Sequence, residues 1–187
     1  MLTRLVLPCL LLLAAATPAL AQVNDFTDGK DNSKIHASGF VCPDIMGHFE
    51  RDAAGEQDVD TGADFCAYSS LDGVYGTVVF VPLTGPYDPK SALSREFEET
   101  EGTGGKMIAE KTVTVAPTSD APLSVYTRTY QTAALESLHY RIEYTGTAMK
   151  NWAVETTIEY ADPRDTDVAQ SFFDAIYAKA RKEIGTK

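Results

Sequence analysis

Cysteine is scarce in this chain and no two cysteines are spaced as C-x-x-C, which removes thiolate metal centres and dithiol redox motifs from consideration. Histidine is equally sparse. His36, His48 and His139 show no metal-ligand spacing and no H-E-x-x-H occurs, so a zinc-hydrolase helix is excluded. Positive charge is in deficit: 16 Lys and Arg stand against 27 Asp and Glu, a net charge of −11. Such a surface does not attract nucleic acid or anionic lipid, both polyanions, and neither is expected as a partner. No G-x-S-x-G or S-x-x-K is present to activate a serine. The glycine-rich run Glu101–Lys106 is not a phosphate loop. Thr100 stands where the first glycine belongs, Met107 follows the lysine, and the order is helix then strand. There is no internal repeat.

Long apolar runs are also missing, with one exception at the start. Arg4, the apolar stretch from Leu5 to Ala16, and Ala19-Leu20-Ala21 before Gln22 have the layout of an export signal, predicted to span residues 1–21. The run is too short for a membrane span. Cys9 sits in mid-run after Pro8, not at its end, which argues against lipid attachment. The exported chain would be periplasmic or secreted, keeping Cys42 and Cys66, an even pair expected to form a disulfide.

Residues 22–37 are polar and are expected as a flexible arm. From residue 38 to 187 the pattern is that of a single α+β domain. Ser38–Cys42 reads as a short strand stopped by Pro43, and Ala53–Asp64 as an acidic loop. Asp72-Gly73 between two apolar-rich runs predicts a hairpin. With a two-residue turn, Leu71 would face Val74 and Cys66 would face Val79. Asp88-Pro89 opens a helix whose buried side carries Ala92, Leu93 and Phe97. Strands are expected at Met107–Val115, Leu123–Gln131 and Leu138–Tyr144.

The last third is the most legible part. Trp152, Val154, Thr156, Ile158 and Tyr160 alternate with Ala153, Glu155, Thr157 and Glu159, the two-residue period of a strand with one apolar face. A helix follows, capped at Asp162, Asp165 or Thr166, with Val168, Phe172, Phe173, Ile176, Ala180 and Ile184 on one stripe and Gly185 at its end. Pairing Tyr144 with Trp152 would set Ile142 against Val154 and Arg141 against Glu155. The expected architecture is one antiparallel sheet of roughly five to seven strands, packed by this helix and by a second one on the other side.

The Tyr68–Gly73 turn, Asp88-Pro89 at the head of the first helix, and the strand and helix from Trp152 to Ile184 resemble the PsbP/DcrB-like superfamily. These are small exported or organellar domains with a central antiparallel sheet between helices. The resemblance implies a non-enzymatic role in assembly or partner binding and supplies no catalytic residues. The Cys42/Cys66 pair and the acidic loop depart from the usual pattern.

Three sets of residues invite a functional reading. Asp58, Asp60 and Asp64 form a D-x-D-x-G run of the kind that offers carboxylates to calcium, although Ala63 and Ser69 occupy the places where an EF-hand needs Gly and Glu. His48 is the histidine with carboxylate neighbours, Asp44 and Glu50. Tyr126, Arg128 and Tyr130 share one strand face, and Tyr140 and Tyr144 another. Aromatics beside an arginine line ligand grooves or anchor interfaces; on strands they also serve as core. The expected function is a non-enzymatic module, without a cofactor, that binds an envelope protein. A binder of a small apolar or acidic molecule is the alternative, and an enzyme comes third.

Overall fold

The computed structural model describes residues 25–116 and 122–185. The expected export signal and Cys9 lie outside these residues. The chain is α+β, with two antiparallel sheets rather than the single one expected. The smaller contains β1 (Phe26–Asp28), β2 (Lys34–His36) and β3 (Val41–Cys42). The larger contains β4 (Ile45–Met46), β5 (Phe49–Asp58), β6 (Ala63–Ser70), β7 (Tyr75–Pro82), β8 (Lys106–Val115), β9 (Leu123–Leu135), β10 (Leu138–Met149) and β11 (Trp152–Asp162). Its order is β4-β5-β6-β7-β11-β10-β9-β8. The helices are α1 (Pro89–Ala92), α2 (Ser94–Gly102) and α3 (Thr166–Glu183). None of the helices among the described residues is long and apolar enough to cross a membrane.

Helix α3 covers one face of the large sheet, and its stripe forms the main core. Phe172, Phe173, Ile176, Tyr177 and Ala180 pack with Val154 and Ile158 of β11, Val78 and Phe80 of β7, and Val125 of β9. Asp165 is the cap, Arg181 and Lys182 lie in the last turn where the helix dipole favours cations, and Gly185 with φ +85° ends it. One close approach depends on glycine. A Cβ on Gly76 would lie 2.4 Å from Cζ of Phe172, so this ring can rest on β7 only because no side chain is there. Within the core, Thr145 and Thr156 share a 2.7 Å hydrogen bond, and the Tyr177 hydroxyl bonds Thr145. That satisfies polar groups which burial would otherwise penalise.

Two registers differ from expectation. The Asp72-Gly73 hairpin has a three-residue loop: Gly73 N–H donates to Ser70 O, Ser70 N–H donates to Val74 O, and Gly73 has φ +84°. Cys66 therefore faces Val78, not Val79. The one-residue shift puts Val74 in the core and leaves Leu71 fully exposed. Strand β10 runs on to Met149, and the chain turns at Lys150 and Asn151, Lys150 having φ +52°. Met149 thus pairs with Trp152 and Tyr144 with Thr157, in place of the Tyr144–Trp152 pairing. The shift is by an odd number of residues. It sends Tyr140, Ile142 and Tyr144 to the face opposite α3, and Arg141, Glu143 and Thr145 towards it.

That second face has its own cluster. Leu93 and Phe97 from the α1–α2 segment meet Tyr126, Tyr130, Tyr144 and Ile142. The helix expected over Asp88–Glu101 is present as two short helices, with Asp88 Oδ1 accepting from Lys90 N–H as the cap. The stretch expected as an acidic loop is largely strand, because β5 continues to Asp58 and β6 begins at Ala63. The stretch expected as a flexible arm contains β1 and β2, and His36 within it is fully buried. Cys42 and Cys66 form the expected disulfide, with their Cα atoms 6.4 Å apart. It joins the small sheet to the large one.

Candidate functional site

Antiparallel pairing places directly opposed residues on the same side of a sheet. Following the pairs from strand to strand gives one row across all eight strands: Ile45, Glu50, Ser69, Tyr75, Glu159, Ile142, Tyr130 and Met107. The row lies on the face opposite α3. Over β9 and β10 the α1–α2 segment closes it, so Tyr130 is buried and its hydroxyl donates to Glu101 Oε1 at 2.8 Å. Over β7 and β11 the row is open: Tyr75 is 57% exposed and Glu159 is exposed beside it. Helix α2 has nine residues whereas β9 to β11 have eleven to thirteen, and the sheet outreaches its cover.

Where the cover ends there is an open cleft of about 310 Å³. Tyr75, Tyr140, Ile142 and Glu159 line it, together with Arg141 and Arg164. Both arginines are already neutralised. Arg141 donates to Asp162 at 3.1 Å and to Gln131 at 2.7 Å, and Arg164 donates to both oxygens of Asp165. Glu159 has no ion-pair partner among the described residues and is left as the free charge of the cleft. This end of the sheet also collects the exposed apolar side chains. Ile45, Leu71, Tyr75, Met107, Ile108, Leu135 and Tyr140 lie in the row, next to it or on the turns beyond it; among the described residues the other exposed large apolar side chains are Ile35 and Val59.

The aromatic residues singled out in the sequence therefore separate. Tyr126, Tyr130 and Tyr144 surround Phe97, with ring centroids 5.7–6.4 Å from it, and are core. Arg128 lies over a face of that ring at 4.1 Å and pairs with Glu110 at 2.8 Å. Tyr140, 39% exposed, alone of the five reaches the cleft. Its companion Tyr75 was missed, because no local pattern places a residue of β7 beside one of β10. A cross-strand path through β11 does so.

The remaining candidates are also placed. His48 is exposed in the β4–β5 turn, while Asp44 is engaged by Arg51. Asp58 caps its own turn, accepting from Asp60 N–H at 2.8 Å. Asp64 is buried, and its carboxylate accepts from Asp25 N–H at 3.1 Å and faces His36 Nε2 at 3.3 Å. Among the described residues, the group of three or more side chains able to share a metal ion is Asp25, His36 and Asp64; it does not include Asp58 or Asp60. Burial holds the His36 imidazole down at about pKa 4 and pushes the Asp64 carboxyl up. Compared with known families and characterised proteins, the sequence matches no family model and no curated protein.

Proposed function

We propose that this chain is an exported, non-enzymatic binding module that docks a basic segment of an envelope protein on the open end of its large sheet. The observation that carries the reading is the pair of exposed tyrosines, Tyr75 and Tyr140, beside the unpaired carboxylate of Glu159. Tyrosine faces receive lysine and arginine side chains, and a carboxylate between them supplies the countercharge. The net charge of −11 favours the approach of a basic partner, and the cleft's own arginines are already paired. The disulfide is compatible with an oxidising compartment. Helices on both faces of an antiparallel sheet support membership of the PsbP/DcrB-like superfamily.

Titration of labelled protein with a lysine- and arginine-rich peptide tests this by NMR. Shifts are expected to gather at Tyr75, Tyr140 and Glu159, and Glu159→Lys to remove them while the thermal midpoint stays unchanged. Shifts centred on the acidic turn at residues 59–62, or no shifts, would dismiss the reading. The alternative, a small apolar or acidic ligand, is favoured by the cleft volume, which is at the lower end for such sites. It predicts a bound molecule in native mass spectra that is lost on Tyr140→Ser.

A further inference from the structure

At the other end of the sheet, where β7 ends and β11 begins, the small sheet is packed against the large one. His36 from β2 is the centre of that contact. Its ring stacks on Phe80 at 4.6 Å, meets the edge of Trp152 at 4.7 Å and lies 5.1 Å from Phe26. The imidazole is completely buried, yet its Nε2 has no hydrogen-bond partner; Asp64 Oδ2, 3.3 Å away, is outside bonding geometry. A fully buried nitrogen left in this state carries a desolvation penalty that something should offset. The Asp25 carboxylate completes the surroundings, and one ligand atom from each of Asp25, His36 and Asp64 lies within 4.8 Å of the others.

We propose that Asp25, His36 and Asp64 bind a divalent first-row metal ion, zinc in particular, which fastens the small sheet to the large one. The donor set decides the metal class. An imidazole nitrogen with two carboxylates suits zinc and its neighbours, whereas calcium and magnesium prefer oxygen alone. Ligands at zinc distances in a tetrahedron stand about 3.3 Å apart, the separation already present between His36 and Asp64. The two buried ligands come from different sheets, so the ion would bridge them. Asp25 is exposed and gives the ion access from solvent. Its backbone is held on both sides, its N–H by Asp64 and its carbonyl by Ala37 N–H.

The ring's other nitrogen is positioned for the exchange. Without metal, Ser38 N–H donates to His36 Nδ1 at 3.1 Å, which leaves the ring proton on Nε2 without an acceptor. With metal on Nε2 the proton resides on Nδ1, where Ser38 Oγ, 2.8 Å away, accepts it. The metal-bound tautomer thus exchanges the bond from Ser38 N–H for one to Ser38 Oγ.

Trp152 is the chain's single tryptophan and touches the His36 ring, so its fluorescence reports on this site alone. Oxidised protein stripped with chelator is titrated with zinc. The expected result is a saturable change in Trp152 emission at one ion per chain, a thermal midpoint that rises with zinc, and quenching by cobalt at the same site. Asp25→Asn alters an exposed side chain. It should leave the metal-free midpoint where it was and weaken zinc binding by about 100-fold. Absence of any zinc response in the native sequence overturns the proposal. So does stoichiometric binding that Asp25→Asn leaves intact, which places the ion elsewhere. A response to calcium but not zinc also overturns it and returns attention to Asp58 and Asp60.

Discussion

Glu155 illustrates how a single side chain acquires an unexpected environment. Its alternation with Val154 and Thr156 predicts a wet face, but in the fold Tyr87 lies across it and donates a 2.8 Å hydrogen bond to Oε1. Tyr87 reaches there because Gly146, the residue paired with Glu155, has no side chain; a Cβ would lie 2.3 Å from the Tyr87 hydroxyl. Burial raises the Glu155 pKa above the ordinary 4.5. The folded state thus holds that proton more tightly than the unfolded chain does. Stability from this group is complete below about pH 4.5 and is lost as pH rises through the folded value. Glu155→Gln keeps an acceptor for Tyr87 without the charge. It is expected to stabilise the protein at pH 7 by about 1 kcal/mol, and the gain to vanish towards pH 4. Urea denaturation at the two pH values measures it. The same scale shows what patterning conceals. His36 lies in a polar stretch with few apolar neighbours in sequence, and the aromatic rings that bury it come from β1, β7 and β11.

Among the elements, α2 depends most on its packing. It has an acidic C-terminal half that opposes the helix dipole and no basic residue in its last turn. What holds it down is Phe97, 5% exposed, among Tyr126, Tyr130 and Tyr144 and under Arg128, with help from the 2.7 Å hydrogen bond between Thr100 and Tyr144. Phe97→Ala is expected to cost about 3 kcal/mol. Hydrogen exchange should quicken over residues 94–102 while α3 stays protected; equal loss of protection in both would show that the two faces do not behave separately. Strands and helices were legible where the period was strong, as in β11 and α3. Element ends were less so. β10 extends five residues past Tyr144, since Gly146, Thr147 and Ala148 carry no strong strand signal although they pair with Glu155, Val154 and Ala153.

For the molecule as a whole, the Cys42–Cys66 bridge and the contacts of Phe40, Cys42 and His36 join the small sheet to the main core. Val41 N–H also donates to Glu183 near the end of α3 at 2.9 Å. Reduction releases the loop closed by the bridge and is expected to lower stability by about 3 kcal/mol, read as a shift of the urea midpoint with and without reductant. The two ends of the large sheet then have different characters. One is locked by the small sheet, and the other shows the open cleft and most of the exposed apolar groups.

By itself the sequence determined the periodic pieces: the apolar side of β11, the stripe of α3, the place of the turn at Gly73 and the cysteine pair. Each depends on residues close in the chain or on a simple count, and local geometry settles it. Tertiary structure alone decided the registers, the division into two sheets, and the meeting of Tyr75 with Tyr140 and of His36 with Asp64. Those depend on pairings through intervening strands, where a shift of one residue exchanges the two faces, and no nearby stretch of chain encodes which pairing has the lower free energy.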